Sequence, residues 1–222
     1  VIIINSRDKK SIEEHFTPNP ALEAELRSRG KDKYADKVAH AGNLNVSYVY
    51  QEEPLGLGHA VHCAADCIDG EPFFVLLGDV LVPDNQMLIR MKEVSDAHNG
   101  ASVIAVLPVA PEEVDRFGVI AGSEVEEGVW KVDSLVEKPP VDEAPSNLAV
   151  FGRYLLTPRV MDLLAEVEPG AGGEIQLTDA LDALLREEEM YALVIDPEEG
   201  YDTGTIESWL DTNNRLYKKI HG

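Results

Sequence analysis

The chain's 222 residues are 44% apolar and include 41 acidic against 19 basic side chains, for a formal charge of -22. That length buries a substantial core within one domain, and that charge excludes long-range attraction to nucleic acid or to an anionic membrane surface. No apolar run reaches the roughly 18 residues that cross a bilayer, and the first residues lack the basic-then-apolar pattern of a secretory leader, so the expected compartment is the cytoplasm.

Val1 to Ile4 is a β-branched run that reads as a strand buried on both faces. A helical run follows from Lys10 to Phe16, and a second opens at Pro20, a proline suited to a first turn, and stops at Gly30. Further strands are expected at Val46 to Tyr50, Phe73 to Leu77, Ser102 to Val109, Val129 to Val136, Leu148 to Leu155 and Tyr191 to Ile195. Helices are expected at Pro83 to His98 and at Thr178 to Glu189, with Thr178 as a cap and Leu181, Leu184 and Leu185 on one side. Cys63 and Cys67 fall on one face of a helix that also carries His59 and His62. Reduced thiols fit that placement better than a disulfide or a metal site does.

The last helix, Thr205 to Ile220, carries Ile206, Trp209, Leu210, Leu216, Tyr217 and Ile220, a stripe expected to pack on the body or on a partner subunit of a homo-oligomer. Alternating apolar strands and helices predict an α/β fold with a mostly parallel sheet flanked by helices.

Several strand ends carry polar residues of interest. Asp79 follows the apolar run Phe73 to Leu77, at the end of a core strand where open α/β sheets bind ligands, and Asp202 lies in a turn before the final helix. Two carboxylates from distant loops could hold one Mg²⁺ against a triphosphate; each could equally be a turn former. Glu137 and Lys138 end another strand ahead of two prolines. A kink there would place a sugar-hydroxyl acceptor beside a phosphate donor, whereas the plainer reading is a polar strand end. Gln51 precedes a glycine-bearing helix entry at Gly56, which suits close approach of a planar base or simply a tight loop.

In order and spacing these pieces resemble the bacterial UTP-glucose-1-phosphate uridylyltransferases of the sugar-nucleotidyltransferase superfamily. The matching stretches are Ser11 to Phe16, Gly56 to Ala60, Leu77 to Val80, Arg116 to Val119, Val136 to Pro139, Ala144 to Tyr154 and Gly173 to Ala180. The resemblance implies one Rossmann-like nucleotidyltransferase catalytic domain over residues 1–222, with 205–222 as a packing or dimer helix. It implies UTP and glucose 1-phosphate as ligands, with no nucleic acid or membrane partner, and Mg²⁺ as cofactor. By the same resemblance Gln51 and Gly56 face uracil, Asp79 and Asp202 bind Mg²⁺, Gly118, Glu137 and Val150 contact glucose, and Lys138 holds the sugar phosphate. Asp79, Lys138 and Asp202 are then the catalytic set.

That family opens on a strand and a glycine-rich Gly-x-Gly-Thr-Arg loop, which has no counterpart ahead of Val1. The expectation is therefore a domain without its first strand, loop and helix, and weak or no turnover by the chain as it stands. The same motifs leave two alternatives: a thymidylyltransferase of the same superfamily, and a non-catalytic module that keeps a sugar-phosphate pocket.

Overall fold

The computed structural model describes residues 1–170 and 173–221; Gly222, at the end of the expected C-terminal helix region, lies outside the described residues. The chain starts with β1 (Ile2–Asn5), three short helices α1 (Lys10–Phe16), α2 (Pro20–Ser28) and α3 (Asp32–Gly42), and β2 (Ser47–Tyr50). Pro20 occupies the first turn of α2, whose N-terminus is capped by Asn19 accepting from the amide of Leu22 at 3.1 Å. β1 and β2 pair in parallel as a sheet of their own. Ile2 to Ile4 are half-buried rather than enclosed on both faces, and among the described residues β1 pairs with β2 alone.

The body is a six-stranded sheet in the order β3-β8-β5-β9-β7-β6. Its strands are β3 (Phe73–Leu76), β5 (Ser102–Pro108), β6 (Gly118–Glu126), β7 (Val129–Glu137), β8 (Leu148–Leu156) and β9 (Met190–Val194). Side chains alternate along β5, so Ile104 and Val106 enter one core and Val103 and Ala105 the other. The first core packs under α4 (Leu57–His62), α6 (Arg159–Glu166) and α7 (Leu177–Leu184); the second packs under α5 (Gln86–Ala97) through Met87 and Met91. Burial on both faces explains the unbroken apolar runs. Truncating a fully buried side chain such as Leu181 to alanine costs about 2–5 kcal/mol.

The α/β class stands, with helices on both faces, but the expected parallel character does not. β5 and β9 are parallel, whereas β3–β8, β8–β5, β9–β7 and β7–β6 are antiparallel. No α-helix separates β6, β7 and β8 in the chain. β6 and β7 instead close a hairpin through Glu127 and Gly128, the glycine taking a φ of 71°. Apolar runs report burial and carry no information on strand direction.

A small antiparallel ribbon pairs β4 (Val80–Leu81) with β10 (Tyr201–Asp202). α8 (Ile206–His221) follows. Most of its apolar stripe is left open: Ile206, Trp209, Leu210, Tyr217 and Ile220 are all more than half exposed, whereas Leu216 is half-buried and Thr212 is buried. Contact with a partner subunit is the expected role still open to those side chains. The helix over His59 and His62 ends at His62, and Cys63 caps it; Cys63 is partly buried and Cys67 exposed, both as free thiols. No helix among the described residues is long and apolar enough to cross a membrane.

Candidate active site

The chain leaves β3 through a turn, Leu77 to Val80, closed by the amide of Val80 donating to the carbonyl of Leu77 at 3.3 Å. Asp79 sits inside that turn. β10 brings Asp202 beside it, because Asp202 pairs with Val80 across the ribbon. Thr203 then ties the two segments together, donating from its amide at 2.8 Å and from its hydroxyl at 2.7 Å to the carbonyl of Asp79.

The space between the two carboxylates can be gauged at Gly204. A Cβ there would lie 3.1 Å from Asp202 Oδ1 and 3.2 Å from Asp79 Oδ2. Both carboxylates thus face one small volume that lacks a side chain, which fits a divalent cation with hard oxygen ligands. Among the described residues no three His, Cys, Asp or Glu side chains gather at one such point. The pair is thus an incomplete ligand set, of the kind that phosphate oxygens and water complete.

The second half of the site lies at the end of β7. Lys138 has a φ of 46°, in the left-handed region that non-glycine residues seldom occupy. Adjacent residues of a regular strand point to opposite faces, and this kink brings the two together: Glu137 and Lys138 both line one cleft, with Lys138 Nζ 3.7 Å from Glu137 Oε1. The prolines after it are not where the chain turns left-handed. Gly118, Val150 and Thr178 converge on the same place, since a Cβ on Gly118 would meet Glu137 Oε2 at 3.1 Å, Thr178 Oγ1 at 3.4 Å and Val150 Cγ2 at 3.6 Å.

Thr178 is not the cap of α7. Gln176 occupies that position without a side-chain bond, and the Thr178 hydroxyl donates to Glu137 Oε2 at 2.7 Å. The cleft holds about 580 Å³ and takes in Asp79, Gly118, Glu137, Lys138, Val150 and Asp202. Six sequence-predicted residues from five separate chain segments therefore meet in one concavity.

Gln51 and Gly56 do not line that cleft; Leu57, the next residue, does. The Gln51 amide donates to the carbonyl of Gly56 at 3.0 Å and lies 3.0 Å from His59 Nδ1. Gly56, with a φ of 103°, has to be glycine: a Cβ would stand 2.7 Å from the carbonyl oxygen of Ile175. Leu55 and Gly58 pair with the backbone of Ile175 at 2.7 and 2.8 Å, so this helix entry is fastened to the segment leading into α7.

Two residues escaped sequence reasoning. Arg153 is buried in β8 and donates to the carbonyls of Gly152 at 2.9 Å, Leu77 at 3.1 Å and Val80 at 2.5 Å. Tyr154, its neighbour, is buried and lines the cleft. Burial first, then the charges of Glu137 and Asp79, push its phenol above the ordinary tyrosine range, so it stays neutral. A charged residue inside the apolar run Leu148 to Leu156 was the available signal for Arg153.

The family described as nucleotidyl transferase matches residues 1–219. A UTP-glucose-1-phosphate uridylyltransferase of Bacillus subtilis, YngB, is 43% identical over 206 residues, which cover 92% of this chain and 69% of that protein. A UDP-glucose pyrophosphorylase solved in complex with UDP-glucose superposes with a TM-score of 0.87 at 35% identity, covering 98% of this chain and 80% of that one. A UTP-bound UGPase from Acinetobacter baumannii does so with a TM-score of 0.83 at 34% identity, over 97% of this chain and 75% of that one. The cleft and its carboxylate and lysine pairs thus belong to a chain that is a member of the nucleotidyl transferase family, among the UTP-glucose-1-phosphate uridylyltransferases.

Proposed function

We propose that the cleft transfers a uridylyl group from UTP to glucose 1-phosphate, giving UDP-glucose and pyrophosphate. The observation that carries this reading is the meeting of two pairs in one cleft: the Asp79 and Asp202 carboxylates, and the Glu137 carboxylate beside the Lys138 ammonium. Relatives support the choice of ligands, one having been solved with UDP-glucose and another with UTP.

In this reading Lys138 holds the phosphate of glucose 1-phosphate, and Glu137 accepts hydrogen bonds from the sugar hydroxyls against Gly118 and Val150. Gln51 and Gly56, outside the cleft's lining but next to its residue Leu57, meet the uracil. A phosphate oxygen of the sugar phosphate attacks the α-phosphorus of UTP; the new P–O bond forms as the bond to the β-phosphate breaks and pyrophosphate leaves. That oxygen is already ionised, so the site requires no general base, and its task is to align two anions and offset their repulsion. Asp79 and Asp202 would hold Mg²⁺, which would supply charge neutralisation of the phosphates.

Incubation with UTP, glucose 1-phosphate and Mg²⁺ tests the reading. However slow the turnover, UDP-glucose and pyrophosphate should form in equal amounts, with UTP used well ahead of dTTP. Equal use of dTTP favours the thymidylyl alternative, and binding of glucose 1-phosphate in a calorimeter without any turnover favours the non-catalytic module.

A further inference from the structure

We propose that Arg153 is the positioning residue for Asp79: together with Thr203, it clamps the Leu77 to Val80 turn so that the Asp79 carboxylate stays beside that of Asp202. The inference rests on reading those two carboxylates as a cation-binding pair.

A guanidinium is expensive to bury, and Arg153 is only 7% exposed. Its hydrogen-bond partners are carbonyls rather than a carboxylate. Two of those carbonyls belong to Leu77 and Val80, the residues that bracket Gly78 and Asp79. One planar fork therefore fixes both ends of the turn, which a single ammonium could not do with the same geometry. The backbone of β8 is shaped for this contact. Gly152 has a φ of 61°, and a Cβ there would stand 2.9 Å from Val80 Cγ2, so glycine lets the strand press against the turn.

The other jaw is Thr203. Its amide and hydroxyl both donate to the carbonyl of Asp79 itself, and that carbonyl is thereby tied to the segment carrying Asp202. The Asp202 side chain is fixed in turn by the amide of Gly204, which donates to Oδ1 at 2.8 Å. Burial pulls the Arg153 guanidinium pKa down and the charge of Asp79 opposes that shift, in keeping with the two groups being near one another. Arg153 touches no candidate substrate position in this account; it acts through Asp79.

Titration of ¹⁵N-labelled protein with MnCl₂, followed by broadening of the Gly204 amide signal, tests the clamp without relying on turnover. The wild-type signal should broaden first among the backbone amides. Arg153→Lys, which keeps the charge and loses the fork, should need about tenfold more Mn²⁺ for the same broadening, and Thr203→Val should shift the titration in the same direction. Leu164→Val, a buried change in α6 away from the turn, should destabilise the fold while leaving the Mn²⁺ response unchanged. An unchanged response in Arg153→Lys overturns the role of Arg153 alone. If Arg153→Lys loses its dispersed spectrum, Thr203→Val decides, and a wild-type response there overturns the clamp. No broadening at Gly204 in the wild type removes the cation pair, and the inference with it.

Discussion

The hydroxyl of Thr178, in the first turn of α7, donates to Oε2 of Glu137 at 2.7 Å, across 41 positions of sequence. This bond leaves Oε1 of Glu137 beside Lys138 and fixes the plane of the carboxylate in the cleft. Thr178→Val should therefore raise the KM for glucose 1-phosphate by about tenfold, the usual scale for a hydrogen bond to a charged group, with the KM for UTP little changed. Thr178→Ser should restore most of the loss. Steady-state kinetics with each substrate varied in turn measures both, and an equal rise in the two KM values would detach Glu137 from the sugar.

Lys138 presents a separate test, because its role divides into a charge and a backbone conformation. Lys138→Ala should weaken use of glucose 1-phosphate by about tenfold or more through loss of a charge-assisted contact, and it also keeps a side chain at a φ of 46°. Lys138→Gly relieves that backbone conformation. Its melting temperature should match or exceed that of Lys138→Ala, while its catalytic defect should be as large. A glycine variant with near-normal use of the sugar phosphate would show that the kink, not the ammonium, matters.

Tyr154 links the cleft to alkaline stability. Its folded pKa is raised above the ordinary 10.0, by burial and then by Glu137 and Asp79. The unfolded chain therefore loses this proton at lower pH than the folded one. Its contribution is complete below the unfolded value and declines as pH rises through about 10 toward the folded value. Denaturant unfolding at pH 8 and pH 11 should show a smaller loss of stability for Tyr154→Phe than for the wild type. Equal losses would mean that this phenol is free to ionise in the fold.

Two sheet edges make a prediction about amide exchange. In the parallel pair, Ser47 and Gln51 donate to the carbonyls of Val1 and Asn5, so odd-numbered residues of β1 face β2, and Ile2 and Ile4 point the other way. On β3, Leu77 donates to Gly152, which puts Val75 in register with β8 and turns the amides of Phe74 and Leu76 outward. The amides of Ile2, Ile4, Phe74 and Leu76 should exchange fast, and those of Ile3, Asn5, Val75 and Leu77 more slowly. Protection of all eight alike would mean that both edges are covered in solution.

The strand positions and the site motifs were legible in the sequence because each has a local signature. Asp79 and Glu137 end apolar runs, and Asp202 precedes a helix capped by Thr205. What was not legible depends on tertiary partners. Thr178 looks like a cap until Glu137 comes opposite it, and the direction of β8 shows only in its antiparallel pairing with β3 and β5, which an apolar pattern does not encode. Arg153 reads as a lone charge until the turn after β3 offers it carbonyls. The stripe on α8 has the period of a packed helix, yet Trp209 and Leu210 remain more than half exposed.

A crystal structure of the protein with UDP-glucose and Mn²⁺ tests the central claim most directly. An anomalous Mn²⁺ peak should lie within ligand distance of both Asp79 and Asp202, with the glucose against Glu137 and Gly118 and its phosphate at Lys138; Asp202→Asn should weaken or erase the peak. UDP-glucose bound outside this cleft, or Mn²⁺ held by neither carboxylate, would contradict the account.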